Sequence, residues 1–287
     1  MLECLSSGAK AGHNEDWVGS FQGRDCTDLV IVDGGTSVAE RDYIDAEHGD
    51  VVWFVAAFAT ALGAAIDAGL NQHAAVHAAV DAVYAEFLEC SAGNAVPQYA
   101  WPIAALSWVR VTGAMGARRL SLYCLGDCKV LMRASSGATQ DLDPFVNPQE
   151  AILQAEIAKL LAEGVQDGAA RRQRLLPMLR ARREFQNTSA QPSTLCLRPN
   201  GAFQARVFDV AVPPGAAVLG MTDGFYRLVD TYGLHTPDSL TALCLERGLQ
   251  AAHDQLRRYE LEATRTATTA LKRADDASAI LWRDDGA

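Results

Sequence analysis

Three apolar runs in this chain begin or end on aspartate. Residues 29–32 stop at Asp33-Gly34-Gly35, residues 217–222 stop at Asp223-Gly224, and Asp275-Asp276 introduces residues 277–282. A fourth acidic group, Asn14-Glu15-Asp16, stands directly before Trp17 and Val18. Short runs rich in β-branched and large apolar residues have the signature of buried strands. Taken singly, an Asp-Gly pair is a turn and an Asn-Glu-Asp triple a loop cap. Taken together, they place carboxylates at strand ends, where the strands of a sheet gather them on one rim. Carboxylates a few ångströms apart repel one another unless cations stand between them. A fold that collects four such groups is suited to hard divalent cations, magnesium or manganese, which oxygen ligands select over zinc or copper.

The rest of the chain indicates what carries that rim. A turn-rich stretch at 22–28 predicts an opening hairpin. Phe54, Phe58, Leu62 and Ile66 recur every four residues, and Val76, Val80, Val83 and Phe87 continue at three and four after a break at 69–71. The spacing predicts two amphipathic helices, the first capped by Asp50. Residues 101–133 predict three strands, punctuated at 113–116 and at Gly126-Asp127. Asn147-Pro148-Gln149-Glu150 opens a helix to Gly164, a second helix is expected over 168–185, and 147–187 reads as a helical insertion or flap. Strand texture returns at 203–212 and 217–222, one long helix is expected from Pro237 to Thr264, and 277–282 closes as a strand. Strands interrupted by paired helices predict an α+β fold, an antiparallel sandwich covered by helices, in a single domain over 1–287.

Charge and composition exclude several functions. The formal net charge of −10 opposes binding to a nucleic-acid backbone or an anionic membrane. The longest uncharged run, 51–66, falls short of the roughly 20 residues that cross a bilayer and predicts a buried helix. Seven cysteines, an odd number with no Cys-x-x-Cys pair, read as reduced and mostly buried thiols of a cytoplasmic protein. The first twenty residues carry no secretory signal, so the chain is expected to start near Met1.

The ordered set NEDW at 14–17, VDGG at 32–35, LGD at 125–127, TDGFYRLVD at 222–230 and DDASAIL at 275–281 resembles the bacterial type 2C metal-dependent serine/threonine phosphatases, over nearly the whole chain. The resemblance implies a four-layer α-β-β-α sandwich, two antiparallel sheets flanked by helix pairs, with two divalent cations (manganese or magnesium) at one end. It implies that Asp33 bridges both ions, that Glu15 and the Gly34 carbonyl hold one, and that Asp223 and Asp275 hold the other. Asp16 would orient a bound water, and Asp127 would hold a weaker third ion. Read from its surroundings alone, Asp127 lies equally well in a hairpin turn between Tyr123 and Met132. The implied activity is hydrolysis of phosphoserine and phosphothreonine in a phosphorylated protein or peptide, by a hydroxide bridging the cations and without a covalent intermediate. In keeping with that, no cysteine precedes an arginine at the spacing of a cysteine-based phosphatase, Cys128 to Arg133 being one residue too short.

Where the family commonly carries a phosphate-clamping arginine, five residues before Asp16, this chain has Ala11. Lys10 and His13 flank that position as substitutes, although lysine offers a point charge in place of a bidentate fork. Arg171, Arg172, Arg174, Arg180, Arg182 and Arg183 crowd one predicted helix. They read as a solvated face, or as the source of an arginine, Arg182 or Arg183, that reaches over the cations to the phosphate. Asp276 stands where the family commonly has asparagine, and its extra charge is expected to tighten cation binding. His73 and His77, four apart on a predicted helix, read as surface or packing. A different reading of the missing arginine is a non-catalytic module that binds a phosphorylated partner. A third is an aspartyl nucleophile, for which Asp141-Leu142-Asp143 is the only candidate; it follows a Ser/Gly-rich loop and not an apolar strand.

Overall fold

The apolar runs are strands, and most of them are buried on both faces. The computed structural model describes residues 1–23, 25–91, 93–114, 116–263 and 274–284, so Arg24 and Met115, in two stretches expected from the sequence to turn, lie outside the described residues. The chain opens with β1 (Leu2–Ser7), β2 (Asp16–Gln22) and β3 (Cys26–Gly34), followed by α1 (Asp50–Asp67) and α2 (Gln72–Cys90). Next come β4 (Ile103–Thr112), β5 (Arg119–Leu125), β6 (Lys129–Arg133) and β7 (Thr139–Asp141), then α3 (Pro148–Ala162) and α4 (Gly168–Thr188). The last third holds β8 (Leu195–Cys196), β9 (Arg206–Ala211), β10 (Ala217–Met221), α5 (Asp223–Tyr226), α6 (Pro237–Arg247), α7 (Leu249–Ala263) and β11 (Ala277–Arg283).

One sheet has the order β1-β11-β10-β6-β7, the other β2-β3-β4-β5-β9 with β8 added to β4, and the pairings are antiparallel. Alternation along β3 divides its side chains between two cores. Leu29 and Ile31 join Val109, Leu122, Val218 and Ile280 between the sheets, whereas Val30 and Val32 join Phe54, Phe58, Val76 and Val80 under α1 and α2. Across the sandwich, Leu219 and Leu281 pack with Leu240, Leu249 and Leu256 of α6 and α7. A strand covered on both faces shows no polar alternation, which is why these segments read as unbroken apolar runs. The result is the expected four-layer α-β-β-α sandwich, with α3 and α4 closing a small core of their own around Ile157, Leu160 and Leu175. α1 is long and apolar enough to cross a membrane by length and composition, and its Phe54, Phe58 and Leu62 are fully buried in the core beneath it.

Several expectations are corrected by tertiary contacts. β1 was not foreseen, because LECLSS is a half-exposed edge strand whose partner is β11, with Leu2 opposite Trp282. The long helix from Pro237 breaks at Gly248, whose φ of 81° favours glycine, and Glu3 from β1 accepts the Leu249 N–H at 2.8 Å to start α7. The expected end of that helix at Thr264 lies outside the described residues. Asp50 is the first residue of α1 and not its cap. Its buried carboxylate accepts the N–H groups of Tyr43, Ile44 and Asp45 at 2.8, 2.7 and 3.0 Å, which folds the preceding loop onto the helix start. Asp127 sits in no hairpin, because β5 and β6 belong to different sheets and Gly126-Asp127 carries the chain across.

Candidate metal centre

β2 and β3 bring the first acids together. Asp16 and Asp33 are opposed in register, and the Gly34 N–H donates to the Glu15 carbonyl at 3.0 Å. A Cβ at position 34 would collide with that carbonyl and with Val51, so only glycine lets the backbones close here. From the other sheet, Asp223 begins the one-turn α5, and its N–H donates to Asp33 Oδ2 at 3.2 Å. Gly224 lies against the Asp276 carbonyl with no room for a side chain, which seats the Asp223 turn at the start of β11, beside Asp275. Asp127 joins from the crossing between sheets.

Asp33 is the focus of this rim. Burial, then the charges of Asp223, Asp16, Asp127 and Asp275, hold its carboxyl well above the usual carboxylate range. Burial likewise pushes the Asp16 carboxyl up to about 8; hydrogen bonds from Thr222 and Ser278 oppose the shift, and the charges of Asp276 and Asp223 add to it. Thr222 Oγ1 donates to Asp16 Oδ2 at 2.9 Å and accepts the Ser278 N–H at 3.0 Å, tying β2 to the ends of β10 and β11. Among the described residues neither Asp16 nor Asp33 forms an ion pair.

The donor set is all oxygen, carboxylates and one backbone carbonyl, and matches a hard divalent ion. The acids converge on a region and not on a point: among the described residues, no three carboxylate, imidazole or thiol side chains form a finished cage. The mutual repulsion that adds to burial in lifting the Asp33 carboxyl is what a divalent ion relieves, so the chemistry of the site fits such an ion.

Around the rim, loops are fastened by side chains with split duties. Glu15 Oε2 accepts from Thr36 Oγ1 at 3.1 Å, and His13 Nε2 lies 3.6 Å from Glu15 Oε1. Lys10 is exposed and meets His13 through the backbone, the His13 N–H donating to its carbonyl at 3.3 Å. Asp276 accepts the Ala9 and Glu15 N–H groups at 2.7 and 2.6 Å, one on each carboxylate oxygen. Its charge is thereby engaged in holding the β1–β2 loop, a use for a carboxylate there beyond the expected effect on cations. Asn147 caps α3 by accepting the Gln149 N–H at 3.1 Å and donates through Nδ2 to Asp127 Oδ2 at 2.8 Å.

The arginine-rich face of α4 is not solvated as a whole. Arg183, buried, donates to the Gly35 and Thr36 carbonyls at 3.1 Å each, and burial draws its pKa down to about 10. Arg172 and Arg180 reach the Ser37 and Val38 carbonyls at 2.9 Å, so α4 packs on the segment leaving β3. Arg182 is the arginine that borders the rim. Its Nη2 donates to Asn147 Oδ1 at 3.4 Å; burial lowers its pKa, and Asp127 and Glu150 counter that loss.

The competing nucleophiles are disarmed. Burial, then the charges of Asp33 and Asp127, push the Cys128 thiol far up, and burial lifts Cys124, Cys196 and Cys244 to about 12, so none presents a thiolate. These four are the buried cysteines; Cys4 and Cys90 are exposed. Asp143 is gripped through both oxygens by Arg206 at 2.8 and 2.6 Å, and Asp141 accepts from Lys129 Nζ at 3.3 Å and from the Asp143 N–H at 3.0 Å, an arrangement that disfavours the aspartyl-nucleophile reading. The His73 and His77 rings meet tilted, their centroids 4.6 Å apart, with Phe203 beside His77, a packing role. Thr222, Ser278 and Arg257 were not anticipated. Arg257 donates to the Asp275 and Ser7 carbonyls at 2.8 and 3.1 Å, bracing the strand entry that presents Asp275.

No family model matches this chain, and no curated protein matches it in sequence. Solved structures do match. The S. agalactiae serine/threonine phosphatase aligns with a TM-score of 0.56 at 12% identity, over 98% of each chain. The Mycobacterium tuberculosis serine/threonine phosphatase PstP/Ppp aligns at 0.52 and 16% identity, over 98% of this chain and 97% of that one. RsbX, solved in complex with magnesium, aligns at 0.50 and 12%, over 98% and 92%. Identities this low establish likeness of fold: the chain has the sandwich fold of the bacterial serine/threonine phosphatases, the fold that the five sequence motifs implied.

Proposed function

We propose that this chain is a metal-dependent phosphoprotein phosphatase of the type 2C family, hydrolysing phosphoserine and phosphothreonine esters with water as nucleophile. The observation that carries the reading is the convergence of Asp16, Asp33, Asp127, Asp223 and Asp275, from both sheets and the crossing between them, on one end of a phosphatase-like sandwich. Asp33 would bridge two cations, Glu15 and the Gly34 carbonyl would hold one, Asp223 and Asp275 the other, and Asp127 a third. Such ions supply a water of lowered pKa and stabilise charge on the phosphoryl oxygens. Asp16, hydrogen-bonded by Thr222, would orient that water and hold its proton. Arg182, beside Asn147 and in the field of Asp127, would supply the phosphate contact for which this chain has Ala11, with His13 and Lys10 as further candidates. Hydrolysis breaks the ester P–O bond, adds the water oxygen to phosphorus and returns a proton to the leaving hydroxyl.

The test is hydrolysis of an aryl phosphate with manganese, magnesium or chelator, by the natural chain and by Asp33→Asn and Asp223→Asn. Turnover that requires the metal and is lost in both variants is expected. Metal-independent turnover, or full activity in both variants, contradicts the proposal. Manganese binding without turnover would favour the non-catalytic module, the reading that Ala11 motivates.

A further inference from the structure

Resting on the phosphatase reading, we propose that the substrate is a phosphopeptide with lysine or arginine beside its phosphorylated residue, received by a cleft that opens off the acidic rim. The cleft holds about 540 Å³ and shares Asp127, Asp223 and Asp275 with the rim. Beyond them it is lined by Phe145, Val146 and Leu153, at and before α3, and by Tyr226 of α5. Val146 is 81% exposed, an apolar side chain standing in water next to a polar site.

Two carboxylates beyond the rim, Glu150 of α3 and Asp230 after α5, also line the cleft. Among the described residues neither forms an ion pair: Glu150 accepts from Gln154 at 2.6 Å and Asp230 from Thr231 at 2.8 Å. Lys129 and Arg227 also line the cleft and their charges act on Asp230, but their closest polar partners are other groups. Lys129 Nζ donates to Asp141 and to the Phe145 carbonyl at 3.3 and 2.9 Å, and Arg227 stands 3.9 Å from Glu260. Divalent ions at the rim would neutralise the rim aspartates and leave Glu150 and Asp230 negative. Lysine and arginine answer both features, with an aliphatic stem for the apolar walls and a charged head for the two acids. An acidic neighbour in the peptide meets like charge, the arrangement by which interfaces reject wrong partners.

The test uses the full chain with manganese, an aryl phosphate, and two phosphothreonine peptides of equal length, flanked on both sides by lysine or by glutamate. The readout is the ratio of kcat/KM, lysine peptide over glutamate peptide, within each protein, so a general loss of folding or catalysis cancels. The natural chain is expected to show a ratio on the order of tenfold, shrinking toward one as salt is raised. Glu150→Gln with Asp230→Asn reduces it to about twofold, and Glu150→Lys with Asp230→Lys inverts it. A ratio of one or less in the natural chain, or an unchanged ratio in both double variants, with manganese-dependent aryl phosphate turnover intact, overturns this inference and leaves the phosphatase reading standing. No metal-dependent turnover of any substrate overturns the reading and the inference with it.

Discussion

Two aspartates on β3, five residues apart, are both drawn into the molecule and are met in opposite ways. Asp28 has no exposed surface and is closed off by the Arg110 guanidinium at 2.7 and 3.1 Å and by the Trp108 indole N–H at 2.6 Å. Asp33, at the other end of the strand, stands opposite Asp16 in the ladder and in the field of Asp223, Asp127 and Asp275. One carboxylate is matched by a cation that the chain encodes; the other is surrounded by its own kind. Buried charge persists only when it is paired or coordinates a metal, so the contrast sets a structural acid against the one that the proposed function would engage with ions taken from solution.

Neutralising each acid in turn breaks the comparison most directly. Asp33→Asn is expected to lower metal-dependent turnover roughly a thousandfold, about 4 kcal/mol of barrier, while raising the melting temperature of the chelated protein because repulsion is relieved. Asp28→Ala is expected to do the reverse. It costs about 3 kcal/mol of stability by leaving Arg110 without its partner, seen in urea denaturation, and leaves kcat per folded molecule unchanged. Equal losses of activity in the two variants would erase the distinction.

The same contrast holds on α4 at smaller scale. Arg182→Ala is expected to raise KM for a phosphopeptide about tenfold with little change in melting temperature. Arg183→Ala strands the Gly35 and Thr36 carbonyls and acts through stability, by about 2 kcal/mol. An unchanged KM in Arg182→Ala would remove that residue from phosphate binding.

The smallest effect expected is a dependence on pH. Burial pushes the Asp16 carboxyl up to about 8 in the fold, against an ordinary 3.8. A carboxyl raised in the folded state stabilises through its protonated form, fully below the ordinary value, and loses that contribution as pH rises through the folded one. The chelated protein should therefore melt lower as pH is raised from 6 to 9, and manganese, which favours the charged form, should flatten that decline. Identical slopes with and without manganese would show that Asp16 does not face the ions.

Much of the acidic rim was legible in the sequence, for a physical reason. β3, β10 and β11 are covered on both faces, so they appear as unbroken apolar runs, and each carries its aspartate at the boundary where the run gives way to polar residues. Elements defined by distant partners were not legible. β1 is held by β11 at the far end of the chain, and the break at Gly248 depends on a glutamate from that strand. Asn147 was visible as a helix cap, but nothing in its neighbourhood points to Asp127, twenty residues earlier and one sheet crossing away. The arginines of α4 looked like a solvated face because their partners are backbone carbonyls of the segment after β3, which no side-chain pattern announces.

Counting manganese ions per chain by equilibrium dialysis, in the natural protein, Asp28→Ala and Asp33→Asn, tests most directly whether the acid end of β3 holds cations. At least two ions are expected in the natural protein and in Asp28→Ala, with tight binding lost in Asp33→Asn. Equal stoichiometry and affinity in Asp33→Asn and the natural protein would contradict it.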